Sequence, residues 1–589
     1  MTRNFYFLFI ALSFAFTAHS QKILTLPSRG SITEFYIDGV KVNFKPNLQT
    51  KYWVYLTDKS NSGFSKNDPG QFLSARAIER RIRFNIAVNE SDLPVSEFYI
   101  QQLNALGISI DVQSRWLNAV SAYLNEDQVI ALSQLPYVRQ ITAVNKYKIV
   151  DENTIPLNNA VFYKTAVNTD ITSTYGYAEN QIEQINLDTV LDLGHTGADM
   201  VIAVLDAGFF GMDTGTLYQS FWDKGQILGY HNFPDDNDEV FNIFSGYHGS
   251  WVSSVIGGDL DSIFSGSAPD VKLYLFRTEI ADSEYVVEED HWLEAAESAD
   301  FLGVDLINSS LGYTTFDDPT QNHTYADLDG NTTVVTTAAD MAASKGILVC
   351  NSAGNEGANT WHYVSMPSDG DSVFSIGGVD TSGLHAGFSG YGPTSDGRLK
   401  PNVVALAVGS AVLDPSGNIF NLSGTSFSSP LIAGACASLW GAFPARTNME
   451  IMDAVQQSAH LYMTPNDTMG YGIPNFGLAY EILKALEPED TVIVEDTVIV
   501  EDTTLVYIDV LPNPASDFFS VFIQSHLNEN AVVQVLNLQG EMMYSKNIYL
   551  NKDVAESFTI PISSNFAPGI YFLSILTERE KQSKMIFVK

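Results

Sequence analysis

The sequence predicts an α/β fold: a parallel sheet with helices on both faces, preceded by a small α/β module and followed by a small C-terminal β-sandwich. From residue 175 onward, apolar strands alternate with helices, the pattern of a parallel sheet covered by helices. Residues 51–144 repeat strands and helices on a smaller scale. Residues 505–589 contain short runs of alternating apolar and polar residues, which are typical of a sandwich.

The central region is expected to hold strands at residues 200–205, 271–276, 305–308 and 346–350, and helices at residues 185–193, 290–302 and 334–345. These strands are continuously apolar, as in a sheet buried on both faces. They end in polar or glycine-rich loops. Because such loops gather at the carboxyl edge of a parallel sheet, we expect the working residues there.

The small module is expected to hold strands at residues 51–56, 108–113, 116–124 and 138–144, and helices at residues 71–81 and 126–135. It offers no cluster of catalytic side-chain types, which favours a folding or inhibitory role. Residues 151–174 are polar and lack clear periodicity, so we interpret them as a linker open to proteolysis.

The two ends of the chain indicate transport. Residues 1–20 are interpreted as a secretory signal, with Arg3, an apolar run and a small-residue cleavage site before Gln21. No later apolar run reaches about 18 residues, so no transmembrane anchor is expected in the mature protein. The repeat EDTVIV at residues 489–503 predicts an extended acidic spacer.

Composition narrows the classes of partner. The 589 residues include 69 acidic and 31 basic side chains, for a formal net charge of −38. This argues against nucleic acid, whose binding needs clustered Lys and Arg, and it fits a soluble protein outside the cell. The sequence contains two cysteines, Cys350 and Cys436, which are too few for a disulfide framework or a cysteine zinc site. We expect two buried thiols and leave open a bond between them.

Ser426 is the candidate nucleophile. It ends a turn of small residues that runs into an apolar helix reaching Trp440. A helix start offers free N–H groups and the positive end of the dipole to an oxyanion. Pro430 is expected in the first helical turn, where a proline is tolerated.

A serine nucleophile needs a base, an acid that orients the base, and donors for the oxyanion. Asp206 ends an apolar strand, where a buried carboxylate needs a partner. His248 opens an apolar helix, and Asn355 lies at the tip of a small-residue turn. Each motif alone is more often structural, whereas the ordered set indicates a catalytic site. His362 and His385 are expected to serve packing or hydrogen bonding.

The segments AVLDAGF, GYHGSWVSSVIGG, INSSLGY, NSAGNEG and SGTSFSSP resemble the five signature regions of subtilisin-like serine proteases (subtilases, peptidase family S8), in that family's order. The resemblance implies that Asp206 orients His248, that His248 is the general base and acid, and that Ser426 is the nucleophile. It also implies that the Asn355 side chain and the Ser426 backbone N–H bind the oxyanion.

The same resemblance implies a substrate-binding strand at Ser310, Leu311 and Gly312, which would pair with the peptide and line the pocket for the side chain before the scissile bond. Ala353 and Gly354 are assigned to the substrate site on the same ground. The chemistry would require no cofactor and no catalytic metal.

Two features depart from the family pattern or lack a match in it. Ala207 replaces the hydroxyl residue that commonly follows the aspartate, which removes a minor hydrogen bond. Structural calcium is common among subtilases, but the acidic loop at residues 234–239 matches no ligand set.

The flanks carry further resemblances. SRWLNAVSAYL is similar to propeptides of Bacteroidetes members, and the last unit is similar to the type A sorting domain that the type IX secretion system reads. The implied domains are a signal peptide (1–20), a propeptide (21–174, with its module at 49–146), a catalytic domain (175–486), a linker (487–504) and a sorting domain (505–589).

We therefore expect a serine endopeptidase that is made as a zymogen and exported through the periplasm and outer membrane, to be secreted or held at the cell surface. Its expected partners are protein or peptide substrates, the type IX machinery and its own propeptide. One alternative is a surface adhesin or binding protein on a subtilase scaffold. Another is a processing protease that is limited to its own propeptide or a single partner.

Overall fold

A computed structural model describes residues 35–37, 40–42, 50–144, 174–243, 246–280 and 283–487, together with the strands and some turns of 506–588. The chain divides into two compact units, Met1–Pro488 and Glu489–Lys589. The predicted signal segment, nearly all of the linker at 151–174 and the acidic spacer lie outside the described residues. None of the described helices is long and apolar enough to cross a membrane.

The N-terminal module is a four-stranded antiparallel sheet of order β4-β5-β3-β6, with a separate two-stranded ribbon, β1-β2. Its elements are β1 (Phe35–Ile37), β2 (Val40–Val42), β3 (Thr50–Leu56), α1 (Ala75–Arg83), α2 (Glu97–Ala105), β4 (Ile110–Ser114), β5 (Ala119–Leu124), α3 (Glu126–Ser133) and β6 (Val138–Val144).

Strand β3 shows how this sheet divides its two faces. Tyr52 and Val54 pack with the buried residues of α2 and α3 in the module's own core. Trp53 points to the opposite face and belongs to a core shared with the central domain. This alternation follows from the two-residue period of a strand, and it leaves one face of the module to cover its neighbour.

The central domain is built on a parallel sheet of order β15-β14-β13-β12-β7-β11-β8. Its strands are β7 (Val201–Asp206), β8 (Ile227–Asn232), β11 (Lys272–Arg277), β12 (Leu306–Ser309), β13 (Leu348–Ser352), β14 (Val373–Val379) and β15 (Val403–Leu406), and two short antiparallel pairs are β9 (Asp259–Leu260) with β10 (Phe264–Ser265) and β16 (Ser410–Asp414) with β17 (Asn418–Leu422).

Helices cover both faces of this sheet, as the sequence predicts. They are α4 (Glu179–Gln184), α5 (Asp188–Asp192), α6 (Gln219–Asp223), α7 (Tyr247–Gly257), α8 (Val287–Leu302), α9 (Val334–Ser344), α10 (Thr425–Ala442), α11 (Asn448–Gln457) and α12 (Phe476–Ala485). Ile202 and Val204 of β7 join the core beneath α7 and α10, whereas Val201 and Ala203 join the core beneath α8 and α9.

The C-terminal unit is a β-sandwich. A three-stranded sheet β18-β19-β22 accompanies a four-stranded sheet β21-β20-β23-β24. The strands are β18 (Val506–Leu511), β19 (Phe518–Ser525), β20 (Glu529–Asn537), β21 (Met542–Leu550), β22 (Ala555–Pro561), β23 (Gly569–Thr577) and β24 (Lys581–Val588). Residues from both sheets, such as Val521 and Leu573, form one core.

Three of the differences between the predicted and observed elements concern helices. Helix α1 begins at Ala75 because the Ser74 side chain caps it by accepting from the backbone N–H of Ala77. Helix α2 was not predicted, and the residue before it, Ser96, makes no side-chain cap bond that would mark its start. The predicted helix at 185–193 overlaps only the short helix α5, and α4 lies before it.

Candidate active site

The site lies at the carboxyl edge of the sheet, where the chain changes direction. The chain leaves central strand β7 for edge strand β8, returns through β11, and then crosses to β12 on the other side of β7. Ligands of open α/β sheets bind at such a switch point. Asp206 is the last residue of β7 and is fully buried.

Asp206 and His248 form a direct pair. His248 lies in the first turn of α7, and its Nδ1 lies 2.8 Å from Asp206 Oδ1. Gly249 permits this approach, because a Cβ there would lie 2.9 Å from the Phe209 ring and 3.0 Å from Asp206 Cβ. The glycine after the histidine is therefore needed for helix α7 to begin against the end of β7.

The second carboxylate oxygen of Asp206 is unusual. Oδ1 accepts from His248 and also from the Ala207 backbone N–H at 2.7 Å. Oδ2 is buried and has no hydrogen-bond partner among the described residues. A hydroxyl side chain at position 207 would be adjacent to this carboxylate, so the alanine noted in the sequence coincides with an unsatisfied oxygen.

Ser426 lies at the second residue of α10 and is 8% exposed. Its backbone N–H lies in the first helical turn, where the N–H groups have no acceptor within the helix. The helix begins at Thr425, so Pro430 lies in its second turn. The sequence predicts the first turn, and this prediction is wrong. A proline there cannot donate to the carbonyl four residues earlier, which is that of Ser426.

Two side chains from the end of β12 fasten the start of α10. Ser310 Oγ donates to the Ser426 carbonyl oxygen at 2.9 Å. Ser429 Oγ donates to Asn308 Oδ1 at 2.9 Å, and Asn308 Nδ2 donates to Ser310 Oγ at 3.2 Å. The Ser310 hydroxyl thus supports the nucleophile turn from inside, and Asn308 and Ser429, which the sequence did not single out, complete this support.

Asn355 is oriented by Thr425. The Thr425 backbone N–H donates to Asn355 Oδ1 at 2.9 Å, and the Thr425 hydroxyl donates to the same oxygen at 3.1 Å. Two donors on Oδ1 fix the amide so that the Nδ2 group faces away from Thr425. A Cβ built on Gly424 would lie 3.7 Å from Asn355 Nδ2 and 3.8 Å from the Ser426 backbone nitrogen, so both nitrogens lie close to the start of the helix.

The His248 ring lies beside the residue after Ser426, with 6.2 Å between its centroid and that of Phe427. Burial disfavours the imidazolium, but the charge of Asp206, its hydrogen bond and the more distant Glu279 together raise the pKa of His248 above its usual value. Such a histidine holds a proton more firmly than a free one, as a base paired with a carboxylate should.

A second carboxylate, Glu279, lies close to the pair formed by Asp206 and His248, and the sequence did not indicate it. It is 7% exposed, and its Oε1 accepts from Tyr313 Oη at 2.6 Å and from Thr278 Oγ1 at 2.8 Å. Burial raises the pKa of Glu279 to about 7, with a contribution from Asp206, although both hydroxyls oppose the shift. A lone glutamate after a strand carries no motif that would have marked it.

The five predicted substrate residues lie on two adjacent segments. Gly312 is exposed at the rim after β12, and Leu311 is half-buried with its carbonyl bonded to Asn351 Nδ2 at 3.1 Å. Ala353 and Gly354 are buried after β13, and their carbonyls accept from backbone N–H groups. Only the segment at Gly312 therefore presents an exposed edge to a peptide.

Two other expectations concern the cysteines and the acidic loop. Cys350 and Cys436 are buried free thiols in one core, and burial together with the Cys350 neighbour raises the pKa of Cys436. In the loop at 234–239, Asp235 pairs with Arg277 Nη1 at 2.7 Å.

Family models match three consecutive parts of the chain. Residues 51–157 match the peptidase S8 propeptide domain of Bacteroidota, residues 197–472 match the subtilase family, and residues 509–589 match a secretion system C-terminal sorting domain. The sorting domain marks the chain for export to the cell surface or beyond it through the type IX system.

Individual relatives agree with these matches. Subtilisin NAT of Bacillus subtilis subsp. natto is 27% identical over 374 residues, which cover 63% of this chain and 82% of that protein. Subtilisin of Bacillus pumilus is 27% identical over 296 residues, covering 50% of this chain and 95% of that protein.

Among solved structures, the epidermin leader peptide processing serine protease of Staphylococcus aureus aligns with a TM-score of 0.49 and 13% identity, over 74% of this chain and 100% of that one. By the family models, residues 197–472 belong to the subtilase family of serine peptidases and lie between a Bacteroidota S8 propeptide domain and a C-terminal sorting domain.

Proposed function

We propose that the chain is a secreted serine endopeptidase, made as a zymogen, that hydrolyses peptide bonds through an acyl-enzyme on Ser426. The observation that carries this proposal is the 2.8 Å pair between His248 Nδ1 and Asp206 Oδ1. That bond fixes the proton on Nδ1 and leaves Nε2 as the basic nitrogen. The subtilase relatives and the start of α10 beside the His248 ring support the same assignment.

In the proposed mechanism, His248 Nε2 takes the proton of the Ser426 hydroxyl while Oγ attacks the peptide carbonyl. The carbonyl oxygen becomes an oxyanion between the Asn355 side-chain N–H and the Ser426 backbone N–H. His248 then gives the proton to the leaving amine, and water attacks the ester by the same route in reverse. The Asp206 carboxylate stabilises the imidazolium.

The zymogen proposal rests on how the module at residues 50–144 covers helix α8. The indole Nε1 of Trp53 donates to Asp290 Oδ1 at 2.7 Å. At the other end of α8, Asp300 pairs with Arg81 Nη2 and with Arg115 Nη2, each at 2.9 Å. Buried pairs of this kind across two domains require both domains to be folded against each other.

The deciding experiment is Ser426→Ala in the full-length chain, with Ser428→Ala as the matched control. Ser428 lies in the same helix, and its hydroxyl donates to the Thr425 carbonyl oxygen at 3.1 Å. We expect Ser426→Ala to abolish casein hydrolysis, labelling by a fluorophosphonate probe and cleavage between module and central domain. Ser428→Ala should keep all three.

The readouts distinguish the competing functions. A binding protein on this scaffold would leave the wild-type chain unlabelled by the fluorophosphonate and inactive on casein. A protease restricted to its own propeptide would be labelled and would cut itself but not casein. Comparable casein hydrolysis by Ser426→Ala would contradict the assignment of the nucleophile.

A further inference from the structure

We propose that the side chain of Ser365 closes the pocket beside the candidate nucleophile, so that the enzyme cleaves after small uncharged residues such as alanine and serine. This inference rests on the proposed function and names its substrate class. Ser365 belongs to none of the sequence motifs described above and lies in a loop between β13 and β14.

Backbone bonds place Ser365 between the two segments that border the pocket. Its N–H donates to the Ala353 carbonyl at 3.2 Å. The next residue, Met366, exchanges backbone hydrogen bonds with Tyr313, which follows Gly312. The Ser365 backbone is therefore tied to the wall at Ala353 on one side and lies beside the wall at Gly312 on the other.

The glycines of both walls face the Ser365 side chain. A Cβ added to Gly312 would overlap Ser365 Oγ and lie 2.7 Å from its Cβ. A Cβ added to Gly354 would lie 2.7 Å from the same Oγ and 3.3 Å from the same Cβ. The Ser365 hydroxymethyl group thus fills the space between the two walls, where the end of a long substrate side chain would have to pass.

The hydroxyl has no structural partner that accounts for it. Ser365 is 1% exposed, and its Oγ makes no hydrogen bond with any residue that the structure describes. A buried unpaired hydroxyl destabilises the folded state, and native structures keep few of them. Its position between Gly312 and Gly354, where an apolar substrate side chain would otherwise enter, supplies a reason for its presence.

Charge at the rim of this pocket disfavours acidic substrate residues. Glu356 is half-buried, and its carboxylate accepts from the Asn355 backbone N–H at 2.7 Å. The same carboxylate would lie 2.6 Å from a Cβ on Gly354. A substrate carboxylate in the pocket would therefore face a like charge in a site with little water.

The test uses full-length enzyme after self-processing and quenched peptides that differ only in the residue before the scissile bond: Ala, Phe or Glu. We expect wild-type kcat/KM to be at least about 10-fold higher for Ala than for Phe, the scale on which a pocket rejects excess side-chain volume. Ser365→Gly should raise the Phe to Ala ratio at least about 10-fold, and Ser365→Val should lower it.

The matched control is Ser262→Gly, an exposed serine with φ 56° that suits glycine. It should leave the ratio unchanged. A wild-type preference for Phe would overturn the inference without help from any variant, as would an unchanged ratio in a folded Ser365→Gly. If the wild type cleaves none of the peptides and no casein, the proposed function fails; if it cleaves casein but prefers Phe, only the inference fails.

Discussion

The hydroxyl of Ser310 donates to the carbonyl oxygen of Ser426 at 2.9 Å. This bond takes the place of the helical N–H that Pro430, four residues after Ser426, cannot supply. A side chain at the end of β12 is therefore coupled to the backbone of the proposed nucleophile. Pro430 leaves the Ser426 carbonyl without its usual helical donor, and the Ser310 hydroxyl, directly after β12, donates to that carbonyl instead.

Replacing Ser310 by alanine should leave the Ser426 carbonyl buried without a donor. We expect a loss of about 1–3 kcal/mol in the free energy of unfolding, the cost of an unsatisfied buried acceptor. We also expect a lower kcat, because the nucleophile turn loses one support. Urea unfolding in the Ser426→Ala background and peptide kinetics in the active enzyme check the two effects. Ser310→Thr keeps a hydroxyl and should retain more of the free energy of unfolding and more of kcat than Ser310→Ala. Equal losses in the two variants would contradict this account.

Replacing Asn355 by alanine should remove one proposed oxyanion donor. We expect kcat to fall on the order of 10²–10³ with little change in KM, the size of loss that one such donor causes in subtilisin. The turn itself should persist, because Gly354 and Glu356 hold their own bonds. Thr425→Val, which removes one of the two donors that orient the Asn355 amide, should give a smaller loss. A rise in KM at constant kcat would instead indicate a role in substrate binding.

Much of this site could be predicted from the sequence because each residue follows a local rule. Asp206 ends an apolar strand, and His248 and Ser426 each lie in the first turn of a helix. The bond between Asp206 and His248 joins two of these predicted positions. These positions depend on strand ends and helix starts, which short stretches of sequence determine.

What the sequence did not predict depends on contacts between distant segments. Ser365 matters because Gly312 and Gly354 face it, and Glu279 matters because β11 lies beside β7. Neither residue belongs to a motif. Pro430 was placed in the wrong helical turn because the start of α10 is set by the bond from Thr425 to Asn355, 70 residues away.

The contact between the module and α8 predicts the stability of the zymogen. Asp300 is fully buried and pairs with Arg80, Arg81 and Arg115. Asp300→Asn should leave these guanidinium groups short of a counter-charge, and breaking a buried pair costs about 3–5 kcal/mol. We expect a loss of that order in guanidinium unfolding of the Ser426→Ala zymogen.

The control for Asp300 is an exposed ion pair of the same module. Lys66 Nζ lies 2.6 Å from Glu90 Oε1, and the two side chains are 45% and 68% exposed. Lys66→Gln should therefore cost no more than about 1 kcal/mol. If both variants lose the same amount, the buried arginine cluster is not what holds the module.

Glu279 should move the acid side of the pH profile to higher pH. His248 must be neutral to accept a proton, so kcat/KM rises with pH through the pKa of His248, which burial lowers but Asp206 and Glu279 raise above the usual value. Glu279→Gln removes a negative charge that favours the imidazolium. The acid limb should therefore shift to lower pH. Glu481→Gln, which changes an exposed side chain of α12, should leave the kcat/KM profile unchanged. A limb that stays in place in Glu279→Gln would show that this carboxylate does not act on His248.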